Sequence, residues 1–285
     1  MQEGYAHTKW GEVSFEDSGG TEPSILFLHG GAANLRAWDN VVSILETSHR
    51  CISIDLPGHG KTPIEPLTLP ETREALMAVC ERIGVKQPLV VGHSFGGLVS
   101  AFISNTAGLV SGAMVIDPYL YDEEVRRHFA NLEEALDEVR LMEWPWPDTS
   151  DLDAEVERVK SRYAPRPDEG NLLAMIRRGY REVEEEQFRR FPRREDEMKG
   201  VMANWSVDIT ATFKGVKCPL SIVLATEIDR PRLDARRRTV LDIREVLSAS
   251  ESTEFECGHD IPGFMPAELG RYIRSWAKRG RLTPG

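Results

Sequence analysis

The chain has 285 residues, of which 41% are hydrophobic and 28% charged, and its formal net charge is −11. This length and composition are typical of a globular protein that buries a sizeable core. The acidic balance argues against nucleic acid or an anionic membrane surface as the main partner. The first ten residues lack the pattern of a secretory signal, and no apolar stretch reaches the ~18 residues of a membrane span. We therefore expect a cytoplasmic protein.

Five short apolar runs predict buried strands, at residues 24–28, 51–54, 89–91, 112–116 and 220–224. Helical patterns lie between them. One begins at Asn34, a second begins with a capping box formed by Thr68 and Glu71, and the last begins near Pro266 and ends before Gly280. Strands that alternate with helices predict an α/β protein with a doubly wound, mostly parallel sheet.

The middle of the chain differs in composition from both ends. Residues 122–199 hold 22 acidic and 15 basic side chains, yet helical patterns over 122–143, 152–163 and 171–191 carry apolar faces. We interpret residues 121–210 as a helical cap, or lid, inserted into a core domain formed by residues 1–120 and 211–285. Trp144 and Trp146 either line an acyl pocket or pack the insertion onto the sheet.

The strongest chemical signal is Gly92-His93-Ser94-Phe95-Gly96-Gly97, which stands directly after a predicted strand and before a helical pattern. A serine on such a tight turn is lifted above the sheet, and the flanking glycines remove Cβ atoms that would clash there. Ser94 is therefore our candidate nucleophile. The N–H of Phe95, at the start of the following helix, can stabilise a developing oxyanion.

His29-Gly30-Gly31 follows the first strong strand. A loop without bulky side chains can bring a second N–H to the same oxyanion, so we assign Gly30 and Gly31 to the binding loop and choose Gly31 as the donor. His29 is expected to shape this loop by hydrogen bonding.

A serine nucleophile needs a base, and the chain has seven histidines. His93 flanks Ser94, but its side chain should point away from the serine's pocket. His259 lies in Cys257-Gly258-His259-Asp260, between the strand-like run 253–257 and the last helix. A loop at the carboxyl edge of the last strand lets a base reach Ser94, so His259 is our candidate.

These loops, together with Asp55-Leu56-Pro57-Gly58-His59-Gly60, resemble the successive signature loops of the α/β-hydrolase superfamily over residues 5–120 and 215–280. The resemblance implies the α/β-hydrolase fold, a variable cap in the middle, and the chain order nucleophile, acid, base. Serine at the nucleophile position disfavours the dehalogenases and epoxide hydrolases of the superfamily, which use aspartate.

The same resemblance places the acid just past the penultimate strand, in a loop that usually reads Gly-x-x-Asp. Asp229 has this offset and is the favoured candidate, although Thr226 stands where the glycine would fall. Glu227 lies close to it. Asp117, after the strand ending at Ile116, is where some family members carry the acid. All three remain open at this point.

These residues predict a serine hydrolase that cleaves a small-molecule carboxylic ester or lactone through an acyl-enzyme. No cofactor or metal is implied, since the four cysteines are far apart and read as buried free thiols. Two alternatives stay open. One is a C–C bond hydrolase or cofactor-free lyase that uses the same triad, and the other is a non-catalytic small-molecule receptor of the same fold. The sequence does not predict an oligomeric state.

Overall fold

A computed structural model of the chain describes residues 1–20, 23–118, 120, 131–141, 147–161 and 169–279. Eight strands form one sheet: β1 (Gln2–Thr8), β2 (Gly11–Asp17), β3 (Ser24–Leu28), β4 (Arg50–Ile54), β5 (Leu89–His93), β6 (Gly112–Ile116), β9 (Leu220–Ala225) and β10 (Ser250–Phe255). Their order is β1-β2-β4-β3-β5-β6-β9-β10. Strands β1, β2 and β4 pair antiparallel, and the pairs from β4 to β10 are parallel.

Helices cover both faces of this sheet. They are α1 (Asp39–Leu45), α2 (Leu69–Arg82), α3 (Phe95–Ile103), α8 (Ile209–Lys214), α9 (Arg230–Val246), α10 (Ile261–Phe264) and α11 (Pro266–Arg279). Successive side chains of a strand point to opposite faces. In β3, Leu26 and Leu28 therefore pack with α2, α3, α8 and α9, whereas Ile25 and Phe27 pack with α1 and α11. Both faces of the sheet are thus buried.

The predicted α/β class, with its mostly parallel sheet, is confirmed. The Thr68–Glu71 capping box begins α2 with a bond from Thr68 N–H to Glu71 Oε2 of 3.0 Å, and the last helix spans Pro266–Arg279 as expected. Strands β1 and β2 were not predicted from the sequence. These two strands lie at one end of the sheet and bury few apolar side chains, chiefly Ala6, Val13 and Phe15, so their apolar signal is weak.

The middle segment contains α4 (Leu132–Leu141), α5 (Leu152–Lys160), α6 (Glu169–Arg178), β7 (Tyr180–Glu184), β8 (Gln187–Arg190) and α7 (Arg194–Asn204). The expected helix over 171–191 is wrong beyond Arg178, because β7 and β8 form an antiparallel hairpin there. The helix ends at Arg178, and the N–H of the next residue, Gly179, still bonds to the carbonyl of Met175. Helices α5 and α6 share a small apolar cluster of their own, formed by Val156, Val159, Leu172, Ile176 and Tyr180.

No helix within the described ranges is long and apolar enough to cross a membrane. The four cysteines are free: Cys51, Cys80 and Cys257 are buried, and Cys218 is half-buried.

A buried ion pair joins the middle segment to the sheet. Arg178, at the end of α6, donates to Asp55 Oδ2 at 3.0 Å, to Glu3 Oε1 at 2.9 Å and to Ser14 Oγ at 2.9 Å. Asp55 also accepts the N–H groups of Leu35 and Lys61. Both members of the pair are almost fully buried. Removing one member of such a pair is costly because the other charge stays buried without compensation.

We predict that Arg178→Met lowers the free energy of unfolding by about 3–5 kcal/mol, measured by urea denaturation, because it leaves Asp55 uncompensated. Arg177→Met is the matched control. The Arg177 side chain is about half exposed and pairs with the exposed Asp153, so its loss should cost about 1 kcal/mol or less. Equal losses in the two variants would contradict the structural role of the Arg178–Asp55 pair.

Candidate active site

Ser94 stands alone between strand β5 and helix α3. Its backbone has φ 53° and ψ −118°, a conformation that residues other than glycine adopt only where their surroundings hold it. One of the groups that hold it is the carbonyl of Ile116 on β6, which accepts the Ser94 N–H at 2.8 Å. The chain therefore reverses sharply at the carboxyl edge of the sheet and presents the serine there.

The glycines around Ser94 are required by close backbone contacts. A Cβ on Gly92 would lie 2.0 Å from the carbonyl oxygen of Gly96 and 2.3 Å from Ser100 Oγ. A Cβ on Gly96 would lie 2.3 Å from the carbonyl oxygen of Leu28. These distances are far below van der Waals contact, so the turn has the strand–turn–helix geometry that the motif predicts.

The loop after β3 lies directly against the serine. A Cβ on Gly30 would be 3.1 Å from Ser94 Cβ, whereas Gly31 has open space on the side where a Cβ would project. His29 fixes the start of this loop, because its Nδ1–H donates to Gly30 O at 2.7 Å and its Nε2 accepts the N–H of Leu56 at 3.0 Å. Burial lowers the pKa of His29 to about 4, so its ring is neutral at pH 7.

His259 follows β10 and has a carboxylate on its Nδ1. The distance from Nδ1 to Asp117 Oδ2 is 2.6 Å, and the side chain is 52% exposed. His93 holds the same loop from beneath, since its Nε2–H donates to the backbone carbonyl of His259 at 2.8 Å and the two rings lie 4.7 Å apart. Burial and the neighbouring His259 lower the pKa of His93 to about 4.

Asp117 directly follows β6 and is buried. Its Oδ1 accepts the N–H of Ala225 at 2.9 Å and the Arg236 Nη1 at 2.6 Å. Burial alone would raise the pKa of this carboxyl, but the His259 hydrogen bond, the Arg236 charge and the Ala225 N–H outweigh it and lower the pKa below its usual value. Asp117 is therefore ionised at neutral pH and can fix the Nδ1–H tautomer of His259.

The structure does not bring Asp229, the favoured candidate for the acid, to His259. The Asp229 side chain instead caps helix α9, where it accepts the N–H of Arg232 at 3.0 Å. Both Asp229 and Glu227 are exposed. Asp117, which the sequence analysis ranked below Asp229, takes the position beside His259. Nothing in the sequence pattern pointed to Arg236, whose partner Asp117 lies 119 residues away.

A cavity of about 420 Å³ opens in front of Ser94. Its described lining is mostly apolar and comes from both the core and the middle segment: Gly31, Pro57, His59, Pro66, Leu67, Thr72, Ser94, Phe95, Leu98, Ala135, Val139, Pro192, Asp196, Glu197, Gly200, Val201, Asn204, Trp205, Val207 and Ile209. Trp144 and Trp146, the other predicted lining residues, lie outside the described residues. A second cavity of about 220 Å³ lies beside Asp117 and His259.

Within the part of the chain that the structure describes, no cluster of three or more histidine, cysteine or acidic side chains is placed to hold a metal ion.

A family model described as the alpha/beta hydrolase family matches residues 25–271. The chain therefore belongs to the alpha/beta hydrolase family. An esterase of Mycobacterium tuberculosis is 31% identical over 109 residues, which are 37% of this chain and 36% of the relative. A pimeloyl-[acyl-carrier protein] methyl ester esterase of Vibrio vulnificus is 34% identical over 86 residues, 30% of this chain and 32% of the relative. The matches thus span about a third of these curated relatives.

Solved structures share the whole architecture. E-2-(acetamidomethylene)succinate hydrolase is similar over 97% of this chain and 99% of its own, with a TM-score of 0.76 and 16% identity. The Mycobacterium tuberculosis esterase is similar over 97% of this chain and 92% of its own, with a TM-score of 0.71 and 19% identity. At these identities the likeness shows the fold.

We predict a strongly downfield proton resonance for the His259 Nδ1–H, because a hydrogen bond to a buried carboxylate deshields that proton. Proton NMR at low temperature should show that Asp117→Asn abolishes the resonance. Asp229→Asn is the matched control, because asparagine caps a helix as well as aspartate does and the resonance should persist. A resonance that survives in Asp117→Asn and disappears in Asp229→Asn would restore Asp229 as the partner.

Proposed function

We propose that this protein is a serine hydrolase that cleaves small-molecule carboxylic esters or lactones, with Ser94 as nucleophile, His259 as base and Asp117 as acid. The observation that carries the proposal is the 2.6 Å contact between His259 Nδ1 and Asp117 Oδ2 at the edge of the sheet where Ser94 is held in a strained turn. An ionised carboxylate on Nδ1 leaves Nε2 as the basic nitrogen of a neutral imidazole.

The proposed reaction has two halves. In the first, His259 Nε2 takes the proton of Ser94 Oγ as the oxygen attacks the carbonyl carbon, and the resulting tetrahedral intermediate expels the alcohol, which takes that proton from His259. In the second half, His259 takes a proton from water, the hydroxide attacks the acyl-enzyme, and the carboxylic acid leaves as Ser94 regains its proton. For a lactone, the acid and the alcohol remain one molecule.

The N–H groups of Phe95 and Gly31 are the proposed donors to the oxyanion. Phe95 begins α3, and the first N–H groups of a helix have no partner within the helix. Gly31 lines the cavity in front of Ser94, and a Cβ built on Gly31 would have no non-neighbouring atom within 4 Å. The adjacent Gly30 lies close to the serine, since a Cβ on Gly30 would be 3.1 Å from Ser94 Cβ. Two such donors stabilise the negative charge that develops on the carbonyl oxygen.

The cavity supports a neutral, largely apolar substrate. Its charged lining among the described residues is acidic, from Asp196 and Glu197, and no described lysine or arginine lines it. Burial and the adjacent Asp196 raise the pKa of Glu197, which indicates a poorly solvated wall. An anionic acyl group would meet like charge here without a compensating cation, whereas an alkyl or aryl group would bury apolar surface.

We also propose that residues 121–210 act as a cap over Ser94. Ala135 and Val139 on α4, and several residues of α7 together with Trp205, line the same cavity as the serine, which supports this assignment. The esterase names of the two curated relatives support ester hydrolysis, although each match covers about a third of the relative.

A fluorophosphonate should label Ser94 stoichiometrically, as measured by intact-protein and peptide mass spectrometry, because the base activates this oxygen for attack on phosphorus. Ser94→Ala should abolish labelling and lower ester turnover by up to ~10⁶-fold. Labelling at another residue, or a variant that retains most of its activity, would overturn the assignment.

Asp117→Asn serves as a second variant in the same assay. The amide favours the wrong tautomer of His259 and should lower turnover by up to ~10⁴-fold, whereas Asp229→Asn and Glu227→Gln should stay within about tenfold of wild type. A protein that binds esters but neither hydrolyses them nor reacts with the fluorophosphonate would instead be a receptor, and preferential cleavage of a diketone would indicate C–C hydrolysis.

The substrate preference is tested with two p-nitrophenyl esters of equal length, a hexanoate and the half-ester of a six-carbon diacid. The neutral ester should have the higher kcat/KM, by tenfold or more (a difference of about 1.4 kcal/mol), because the terminal carboxylate enters a cavity whose described lining holds no lysine or arginine. Hydroxide-catalysed hydrolysis of both esters corrects for their intrinsic reactivity. A preference for the half-ester would refute the neutral-substrate assignment.

A further inference from the structure

The loop that carries Gly30 and Gly31 is held from outside the core, by the middle segment. Arg190, the last residue of β8, donates from Nη2 to the carbonyl of Ala32 at 2.8 Å. Two residues further on, Asn34 donates from Nδ2 to the carbonyl of Met175 on α6 at 2.7 Å. The middle segment, which lines the cavity, therefore also forms hydrogen bonds with the loop that follows β3.

Ala32 needs such support because its backbone φ is 55°. Residues with a Cβ rarely adopt this left-handed conformation, and they do so where surrounding groups fix it. The peptide that follows Gly31 is thus held in an unfavourable conformation. The Arg190 bond acts on the carbonyl of this same residue, which directly follows Gly31 in the chain.

Arg190 is suited to this task because it is itself immobilised. It is only 4% exposed, its guanidinium also donates from Nη1 to the carbonyl of Phe191, and it lies over the ring of Tyr180. Gly179 provides the room, since a Cβ at that position would lie 1.7 Å from Arg190 Nη1. The turn between α6 and β7 is therefore shaped around this guanidinium.

We infer that Arg190 is a positioning residue that holds Ala32, and through it the Gly31 N–H, in the orientation that receives the oxyanion. This inference rests on the proposed hydrolase function and adds a residue of the middle segment to it. The arginine does not touch the substrate. Its effect reaches the reaction through the geometry of one backbone donor, so it should affect the tetrahedral state more than the bound ester.

Arg190→Met should lower kcat for p-nitrophenyl acetate by roughly 10- to 100-fold, less than the 10²–10³-fold that follows outright removal of an oxyanion donor. The KM should change by no more than about threefold, because this small ester scarcely uses the cavity. The inhibition constant of a trifluoromethyl ketone, which forms a tetrahedral adduct with the serine, should rise by the same factor as kcat/KM falls. Arg190→Lys should restore part of the activity, because lysine still donates to the Ala32 carbonyl.

Gly179→Ala tests the same contact with Arg190 chemically intact, because the new methyl group displaces the guanidinium. It should reproduce the loss of kcat and the weakened inhibitor. Arg189→Met is the matched control. Arg189 precedes Arg190 on β8 and pairs at the surface with Asp148, so its replacement should leave kcat unchanged.

Wild-type kcat and inhibitor affinity in Arg190→Met would overturn the inference. If thermal melting shows that Arg190→Met does not fold, Gly179→Ala and Arg190→Lys decide in the same way, and wild-type kinetics in both would overturn it. A wild-type protein that fails to label with fluorophosphonate and to hydrolyse esters refutes the proposed function itself. Full activity in wild type, Arg190→Met and Arg189→Met alike refutes the role of Arg190 alone.

Discussion

The carboxylate of Asp117 is the group on which the candidate site is assembled. Oδ1 accepts hydrogen bonds from the Arg236 guanidinium and the Ala225 N–H, and Oδ2 accepts one from His259 Nδ1. Strands β6 and β9, helix α9 and the loop after β10 thus meet on two atoms in a buried position. Burying a carboxylate without partners has a large desolvation free energy, and the hydrogen bonds and the Arg236 charge offset it for Asp117. The same partners lower the pKa of Asp117 and so keep it charged, as the proposed role of His259 as base requires.

The middle segment is joined to the core by three arginines, of which Arg178 and Arg190 are buried and Arg181 is half-buried. Arg178 pairs with Asp55, Arg181 donates to the carbonyls of His59 and Thr62, and Arg190 donates to that of Ala32. The core groups that accept these hydrogen bonds lie in the loops that follow β3 and β4, at the carboxyl edge of the sheet. The segment is therefore tied to the loops that surround Ser94, even though its composition alone resembles a solvated linker.

The parts of the fold that rest on local pattern could be read from the sequence. Buried parallel strands are continuous apolar runs, and the turn at Ser94 has glycines where backbone atoms nearly touch. The hairpin after Gly179 could not be read, because β7 and β8 are rich in charge and only Tyr180 and Arg190 are buried at its base. Strands β1 and β2, at one end of the sheet, were not predicted for a similar reason, because they bury few apolar side chains.

The candidates for the acid illustrate a different limit of sequence-based prediction. Asp229 has the expected offset from the end of β9, but the chain begins a helix there, and a carboxylate at that point is captured by the free N–H of Arg232. The position of Asp117 is set by strand register: Ile116, the last residue of β6, pairs with Val223, and this places the residue that follows β6 beside Ala225 and toward the loop of His259. Pairing between strands more than a hundred residues apart is a property of the folded chain, and one sequence without its relatives does not report it.

The arginines that join the middle segment to the core also affect how molecules can enter and leave the cavity. A segment that packs on a cavity through apolar contacts alone exposes this apolar surface to water when it opens. The free energy of opening is then proportional to the area exposed. A segment fastened by Arg178 on the buried Asp55 would have to separate two ions on every turnover if it swung away as one body. For the proposed hydrolase, substrate and product would therefore exchange more readily through small local movements at the cavity mouth than through displacement of the whole segment. Such local movements would be fast, and they would not depend on the strength of the Arg178–Asp55 ion pair.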